Sequence, residues 1–441
     1  MSERILIRGG RVIDVGAGID ERLDVLIAEG VVARMGAGLA AEGAHIVDAG
    51  GCIVSPGFID LHAHLREPGF EQKGTIATET LAALRGGFAT VCAMPNTNPP
   101  SDSASVVEAL IERIARDAHV RVLPIGCTTR GRAGAEVAEL AELAAAGCIA
   151  FSDDGNPVAN GTIFRNALML AGALGLPISE HADDPGLSGG GVMNEGRVSE
   201  RLGLAGQPAA SEIAAIARDL ALCEATGGRL HIAHVSTARG IELVAEAKAR
   251  GLPVTCEVTP SHLYLTEEAV FGDGREPAYD SAAKINPPLR TESDRRALVA
   301  AVNAGLVDAI ATDHAPHAVE DKLCEFDAAA FGISCFETAL GSLFALVERG
   351  DLETEAVLRA LTLGPASAFG IGARVPGAGS LAEGKASDLV VFDPACRWTV
   401  DSTRFASRGR NTPLQGRELA GVVRAVVVAG RLALAEEHTR A

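Results

Sequence analysis

The chain has no C-x-x-C pair, no surplus of basic residues and no long uncharged apolar run. Its nine cysteines are odd in number and scattered. Several sit inside apolar segments (Cys92, Cys127, Cys148, Cys256), where a reduced thiol behaves as a small hydrophobe. That pattern fits a reducing compartment and argues against a disulfide framework. The formal net charge is −18. A basic nucleic-acid patch would have to be built against that field, so no nucleic-acid partner is expected. Although 47% of residues are hydrophobic, no stretch of about twenty lacks charged or polar breaks, and no membrane span is expected. The opening MSERILIRGG has no apolar signal-peptide core, so the expected setting is the cytoplasm. No internal repeat and no low-complexity linker occur. Aromatics make up only 4% beside fifty glycines, which suggests tight turns and aliphatic layers.

At 441 residues the chain is long enough for a (β/α)₈ barrel with a small appendage, or for two medium domains. Residues 1–52 read as short alternating strands punctuated by glycine. From residue 53 short apolar strands alternate with helical runs. The strand candidates are 53–61, 88–94, 120–127, 147–151, 177–181, 229–235, 253–258 and 308–313. Helical spacing of apolar residues marks 103–118, 135–147 and 210–228 among the segments between them. Strands that are apolar throughout, separated by helices, indicate a parallel α/β barrel of the TIM type. After about residue 376 the β character returns. The expected architecture is a (β/α)₈ barrel over 55–375, with a small β sandwich built from 1–54 and 376–441.

The stretch PGFIDLHAHLREPG (56–69) is an apolar strand ending in His62 and His64. Residues two apart on a strand point the same way, so both imidazoles can share one metal ion. Other predicted strands also end in ligand types: Asp153-Asp154, Glu180-His181, His231 to His234, and Asp313-His314 with His317 beyond. A parallel barrel gathers strand ends on one face, and imidazole with carboxylate suits zinc or a similar divalent ion. His231 and His234 are three apart and face opposite ways, with His234 the better ligand. His262 and His314 are either supports behind the ligands or ordinary core histidines. His45, His119 and His438 lie outside these ends and are read as structural.

Several segments together are more specific than H-x-H. DLHAHLREPG, GGFATVCAMPNTNPP, AFSDDG, KINPPLR, ATDHAPH, FGISCFETAL and RNTPLQG run from residue 56 to 416, and the chain is similar in them to class I dihydroorotases of the amidohydrolase superfamily. The resemblance implies metal ligands His62, His64, Asp154, His181, His234 and Asp313, with Zn²⁺ as the ion. It implies reversible cyclisation of N-carbamoyl-L-aspartate to L-dihydroorotate with loss of water, in pyrimidine biosynthesis. Asp313 would be the catalytic proton carrier as well as a ligand. His64, Arg66, Asn96, Asn286, His317, Phe331 and Gly332 would contact substrate, with Arg66 binding its carboxylate through two parallel hydrogen bonds. Lys284 and Arg290 would hold the loop around Asn286.

Two departures from related patterns stand out. Hydantoinases and another dihydroorotase class bridge two metals with a carboxylated lysine, but this chain has no lysine between Lys73 and Lys248. Asp154 stands where that bridge would be, so both one and two metals remain open. Ala330 stands where the family often has proline. A hydantoinase or allantoinase is the alternative enzyme, disfavoured by Arg66 and the missing lysine. A ligand-depleted scaffold for aspartate carbamoyltransferase is the non-enzymatic one, disfavoured because every expected ligand is present. A homodimer and a complex with that transferase are the expected macromolecular partners.

Overall fold

The computed structural model describes residues 4–272, 279–385 and 388–435; His438 lies outside them. The alternating segments at the two ends of the chain pair with each other. Ile5–Asp14 lies antiparallel to Ile19–Ala28, which continues to Val31–Gly36. Its other edge takes His45–Asp48 along one half and Ile53–Pro56 along the other. Leu389–Thr399 joins Ile53–Pro56 antiparallel, followed by Glu418–Val428 and Arg431–Ala435. Inward residues of both ends, among them Ile7, Val25, Val54, Val391 and Val427, share a core separate from that of the barrel. This is the expected small β sandwich.

The strand expected at 53–61 is two strands. Ile53–Pro56 belongs to the terminal sheet and Phe58–Ala63 to the barrel. The chain crosses between them at Gly57, where a Cβ would lie 2.5 Å from that of Ala89. Only a residue without a side chain passes there.

The barrel strands are Phe58–Ala63, Phe88–Ala93, Arg121–Pro124, Ile178–Glu180, Leu230–Ile232, Val254–Val258 and Ala309–Ile310, all parallel to their barrel neighbours. The fourth position, expected at 147–151, is reduced to Phe151, which bridges Gly126 on one side and Ile178 on the other. Pro124 and Pro177 on the flanking chains accept bonds from Ile149 and Phe151 but have no N–H to return, so no regular ladder forms. An Ala63–His314 bridge closes the barrel.

A helix follows each position, from Ile76–Arg85 after the first to Phe336–Glu348 after the eighth. Thr75, Asn160, Thr237 and Thr291 cap four of them through side-chain oxygens, satisfying N–H groups of the first turn. The helix expected at 135–147 is shorter, Leu140–Ala146. Its first residues instead pair with the chain after the third strand, through Arg130 N–H to Glu136 O and Ala138 N–H to Thr128 O. Among the described residues no helix is long and apolar enough to cross a membrane.

Candidate metal centre and its cavity

His62 and His64 close the first strand and are buried. His62 Nδ1 lies 2.8 Å from Glu257 Oε1, and His64 Nδ1 lies 2.9 Å from Asn96 Oδ1. Both oxygens can only accept, so each Nδ1 carries a proton and each Nε2 is turned toward the cluster. Those two nitrogens face carboxylates. His62 Nε2 is 3.3 Å from Asp154 Oδ1 and 3.5 Å from Asp313 Oδ1. His64 Nε2 is 3.5 Å from Asp154 Oδ2 and 3.0 Å from Asp313 Oδ1. His62 Nε2 is fully buried without a hydrogen-bond partner.

Imidazole nitrogens facing two carboxylates in a buried cluster call for a cation, whether a proton or a metal ion. The same demand shows in the titration of His62. Burial disfavours its charge, yet Asp154 and Asp313 outweigh burial and hold its proton well above the ordinary imidazole range.

A second group adjoins the first. His181 Nδ1 and His234 Nε2 are 2.9 Å apart, and lie 3.6 and 3.5 Å from Asp154 Oδ1. His62, His64 and Asp154 form one set fit to hold a metal ion; Asp154, His181 and His234 form another. Asp154 is common to both. Asp313 stands beside the first set. Asp313 and His234 take φ of +47° and +32°, a region side-chain-bearing residues seldom adopt, at points where the chain leaves its strand.

Buried groups fix these ligands from behind, and several were not singled out in the sequence. Glu257 accepts from His62 and also from His231 Nε2, 3.1 Å away. His231 therefore faces away from the cluster and supports it through Glu257. Asp60 accepts the backbone N–H of His62 at 3.1 Å and of Thr312 at 3.0 Å, tying the first strand to the eighth. His314 pairs with Glu79 at 2.7 Å and accepts the Cys335 N–H. His262 donates to Pro287 O at 3.0 Å and steadies the loop of Asn286. The legible signal was a carboxylate inside an apolar strand, as in FIDLHA and VTCEV. Such a group is rarely buried without a partner.

Above the cluster is a cavity of about 300 Å³. His64, Asp154, His181 and Asp313 form its floor, with His62 and His234 beneath. Arg66, Asn96, Asn286, His317, Phe331 and Gly332 line its wall. Larger clefts of about 540 and 450 Å³ contain none of these residues. Arg66 Nε donates to Pro316 O at 3.0 Å, and burial lowers its pKa to about 10, so it is still a cation at neutral pH. Asn286 donates to His181 Nε2 at 3.2 Å while its own oxygen is buried and unpaired.

Gly332 has φ +140°, and a Cβ there would meet Ala315 at 2.6 Å and His317 Nε2 at 3.0 Å. Asn411, from the RNTPLQG segment, clamps this wall. It donates to the carbonyls of Ala315 and Gly332 and accepts the His317 N–H, each at 3.0 Å. Ala330 donates its backbone N–H to Asp321 O at 2.9 Å, a bond that proline could not make.

The Dihydro-orotase-like family profile matches residues 51–240. A dihydroorotase of Anaeromyxobacter dehalogenans is 49% identical over 438 residues, covering 99% of each chain. One of Pelotomaculum thermopropionicum is 47% identical, over 99% of this chain and 100% of the relative. Among solved structures, the L-hydantoinase (dihydropyrimidinase) of Arthrobacter aurescens superposes with a TM-score of 0.87 at 25% identity, over 99% of this chain and 97% of its own. The D-hydantoinase of Thermus sp. gives 0.82 at 27% identity, over 98% and 95%.

Proposed function

The chain belongs to the dihydroorotase family of cyclic amide hydrolases, and from that premise we propose that it interconverts N-carbamoyl-L-aspartate and L-dihydroorotate. One observation carries the reading: the same cavity holds a cation-demanding His/Asp floor and a buried arginine in its wall. The floor suits amide chemistry. The arginine suits a substrate that keeps a carboxylate outside the reacting bond.

In this reading His62, His64, Asp154, His181, His234 and Asp313 hold the metal, with zinc the ion by donor type. When bound, such an ion polarises a carbonyl and acidifies water to a pKa near 7. The protein's own groups do the rest. Arg66 binds the retained carboxylate, with Asn96 and His317 beside it. Asn286 offers its unpaired oxygen and its N–H to the ring amide. In hydrolysis Asp313 takes the proton of the attacking water and returns it to the nitrogen leaving the broken C–N bond. In cyclisation the ureido nitrogen gives that proton to Asp313 as the C–N bond forms, and the lost oxygen leaves as water. Phe331 and Gly332 shape the wall.

The family reading also carries a cytoplasmic setting, a homodimer and association with aspartate carbamoyltransferase. Co-elution of the two proteins would test that association.

A substrate comparison tests the function. The wild type should turn over dihydroorotate faster than uncharged hydantoins. Arg66→Ala should lose about 100-fold in kcat/KM on dihydroorotate, the scale of one buried charge-assisted interaction, and little on hydantoins. Faster turnover of hydantoins by the wild type would move the chain to the hydantoinases.

A further inference from the structure

We propose that Lys73 is a positioning residue of the carboxylate pocket, set behind His317 so that this ring is a neutral donor from Nε2. The inference rests on the dihydroorotase reading and adds to it a residue outside the cavity lining.

The geometry starts at the turn after Arg66. Phe70 N–H bonds to Arg66 O and Lys73 N–H to Phe70 O, so the chain curls back and brings Lys73 to the outer side of the His317 ring. Lys73 Nζ is 3.5 Å from His317 Nδ1 and 3.1 Å from Asp321 Oδ2. On the inner side, His317 Nε2 is 2.8 Å from Phe331 O. A carbonyl oxygen only accepts, so Nε2 carries the proton. Nδ1 is then the acceptor, and the Lys73 ammonium is a donor in reach of it.

Asp321 gives this arrangement a purpose. Its Oδ2 is 3.4 Å from His317 Nδ1. A carboxylate alone at that distance would draw a second proton onto the ring. Lys73 shares that carboxylate and points its own N–H toward Nδ1. Burial together with the charges of Arg66, Lys73 and Lys322 lowers the His317 pKa to about 3, against the bond to Phe331 O. Asp321 is itself fixed, because its Oδ2 accepts the Ala318 N–H at 3.1 Å and its carbonyl accepts that of Ala330. Arg66 Nη2 is 3.4 Å from His317 Nε2, and with the proton on Nε2 the two stand side by side as donors rather than bonded to each other. A carboxylate bound by Arg66 therefore meets a histidine whose Nε2 proton, held by Phe331 O before substrate arrives, is on the nitrogen that can be shared with it.

Kinetics and ring-nitrogen NMR of the metal-loaded enzyme test this together. Lys73→Met should raise KM for N-carbamoyl-L-aspartate about tenfold, the scale of one charge-assisted hydrogen bond, with kcat changed less than about twofold. Lys73→Arg should bring KM back to within about threefold of wild type. In the wild type, ¹⁵N spectra should show His317 protonated at Nε2 and bare at Nδ1 from pH 5 to 8, with the assignment made from His317→Gln. In Lys73→Met the Nδ1 resonance should move, because the ring loses the donor that faces that nitrogen.

A wild-type ring protonated at Nδ1 would overturn the proposal, even if Lys73→Met does not fold. So would a folded Lys73→Met with unchanged KM and an unchanged His317 spectrum. A wild type unable to use N-carbamoyl-L-aspartate would contradict the functional reading alone, and the spectra would still decide the role of Lys73.

Discussion

The floor of the cavity and its wall are held in different ways. Floor ligands stand at or just past the ends of barrel strands and are anchored by wholly buried carboxylates, Glu257 on His62 and Asp60 across the first and eighth strands. Wall residues ride on loops and are clasped by lysines reaching backbone carbonyls. Lys284 Nζ donates to Phe326 O and Asp327 O at 2.8 and 3.0 Å. Lys322 Nζ donates to Ser281 O and Lys284 O at 2.9 and 3.1 Å. Gly332 N–H closes the clasp on Lys284 O at 2.8 Å. Carboxylates behind imidazoles fix tautomer and orientation for a cation. Lysine-to-carbonyl bonds set the position of a loop and leave its side chains free to meet a substrate. In the proposed reading, the chemistry is built on strand ends and the selectivity on loops.

Breaking the floor at its shared point should have the largest effect. Asp154→Ala removes the carboxylate common to both metal-fit groups. It should lower kcat/KM by at least ~10³-fold and reduce bound metal, while the melting temperature of the metal-free protein changes little. Glu257→Gln keeps the shape but not the charge behind His62. It should weaken metal affinity by about 10- to 100-fold, read by competition with a chelating dye, and leave KM at saturating metal near wild type.

The smallest effect belongs to the wall. Burial and the neighbouring Lys284 push the Lys322 pKa down to about 7. The unfolded chain holds that proton up to its ordinary value near 10.4. Between the two, the unfolded state binds more protons, so the protein gains stability as pH rises from about 7 toward 10, loses it over the same interval as pH falls, and is indifferent to this group below 7. The wild type should gain about 2 kcal/mol from pH 7 to 9 relative to Lys322→Met, measured by denaturant unfolding at each pH.

This contrast also explains how much could be read from the residues. H-x-H, the strand-end carboxylates and the alternation of strand and helix obey local periodicity, so the barrel class and the floor were legible. The fourth strand was not, because two prolines on neighbouring chains decide whether its ladder forms. Nor was the break at Gly57, which depends on Ala89 in the next barrel strand. Glu257 and Asp60 left a signal that could have been followed, a charge inside an apolar strand. Lys73, Lys322 and Asn411 left none, since their side-chain partners lie tens to hundreds of positions away in loops. Arg66 is the intermediate case. It sits two residues past His64, but its place in the wall depends on Pro316 and His317.

The central claim is that the His/Asp floor holds a divalent metal required for turnover of the cyclic amide. Metal content per chain, measured on the purified enzyme alongside activity in both directions as the metal is chelated, tests it most directly. The account predicts one or two zinc-class ions per chain, activity on dihydroorotate that falls in step with their removal, and recovery when zinc is returned. Full activity in a preparation verified to be metal-free would contradict it.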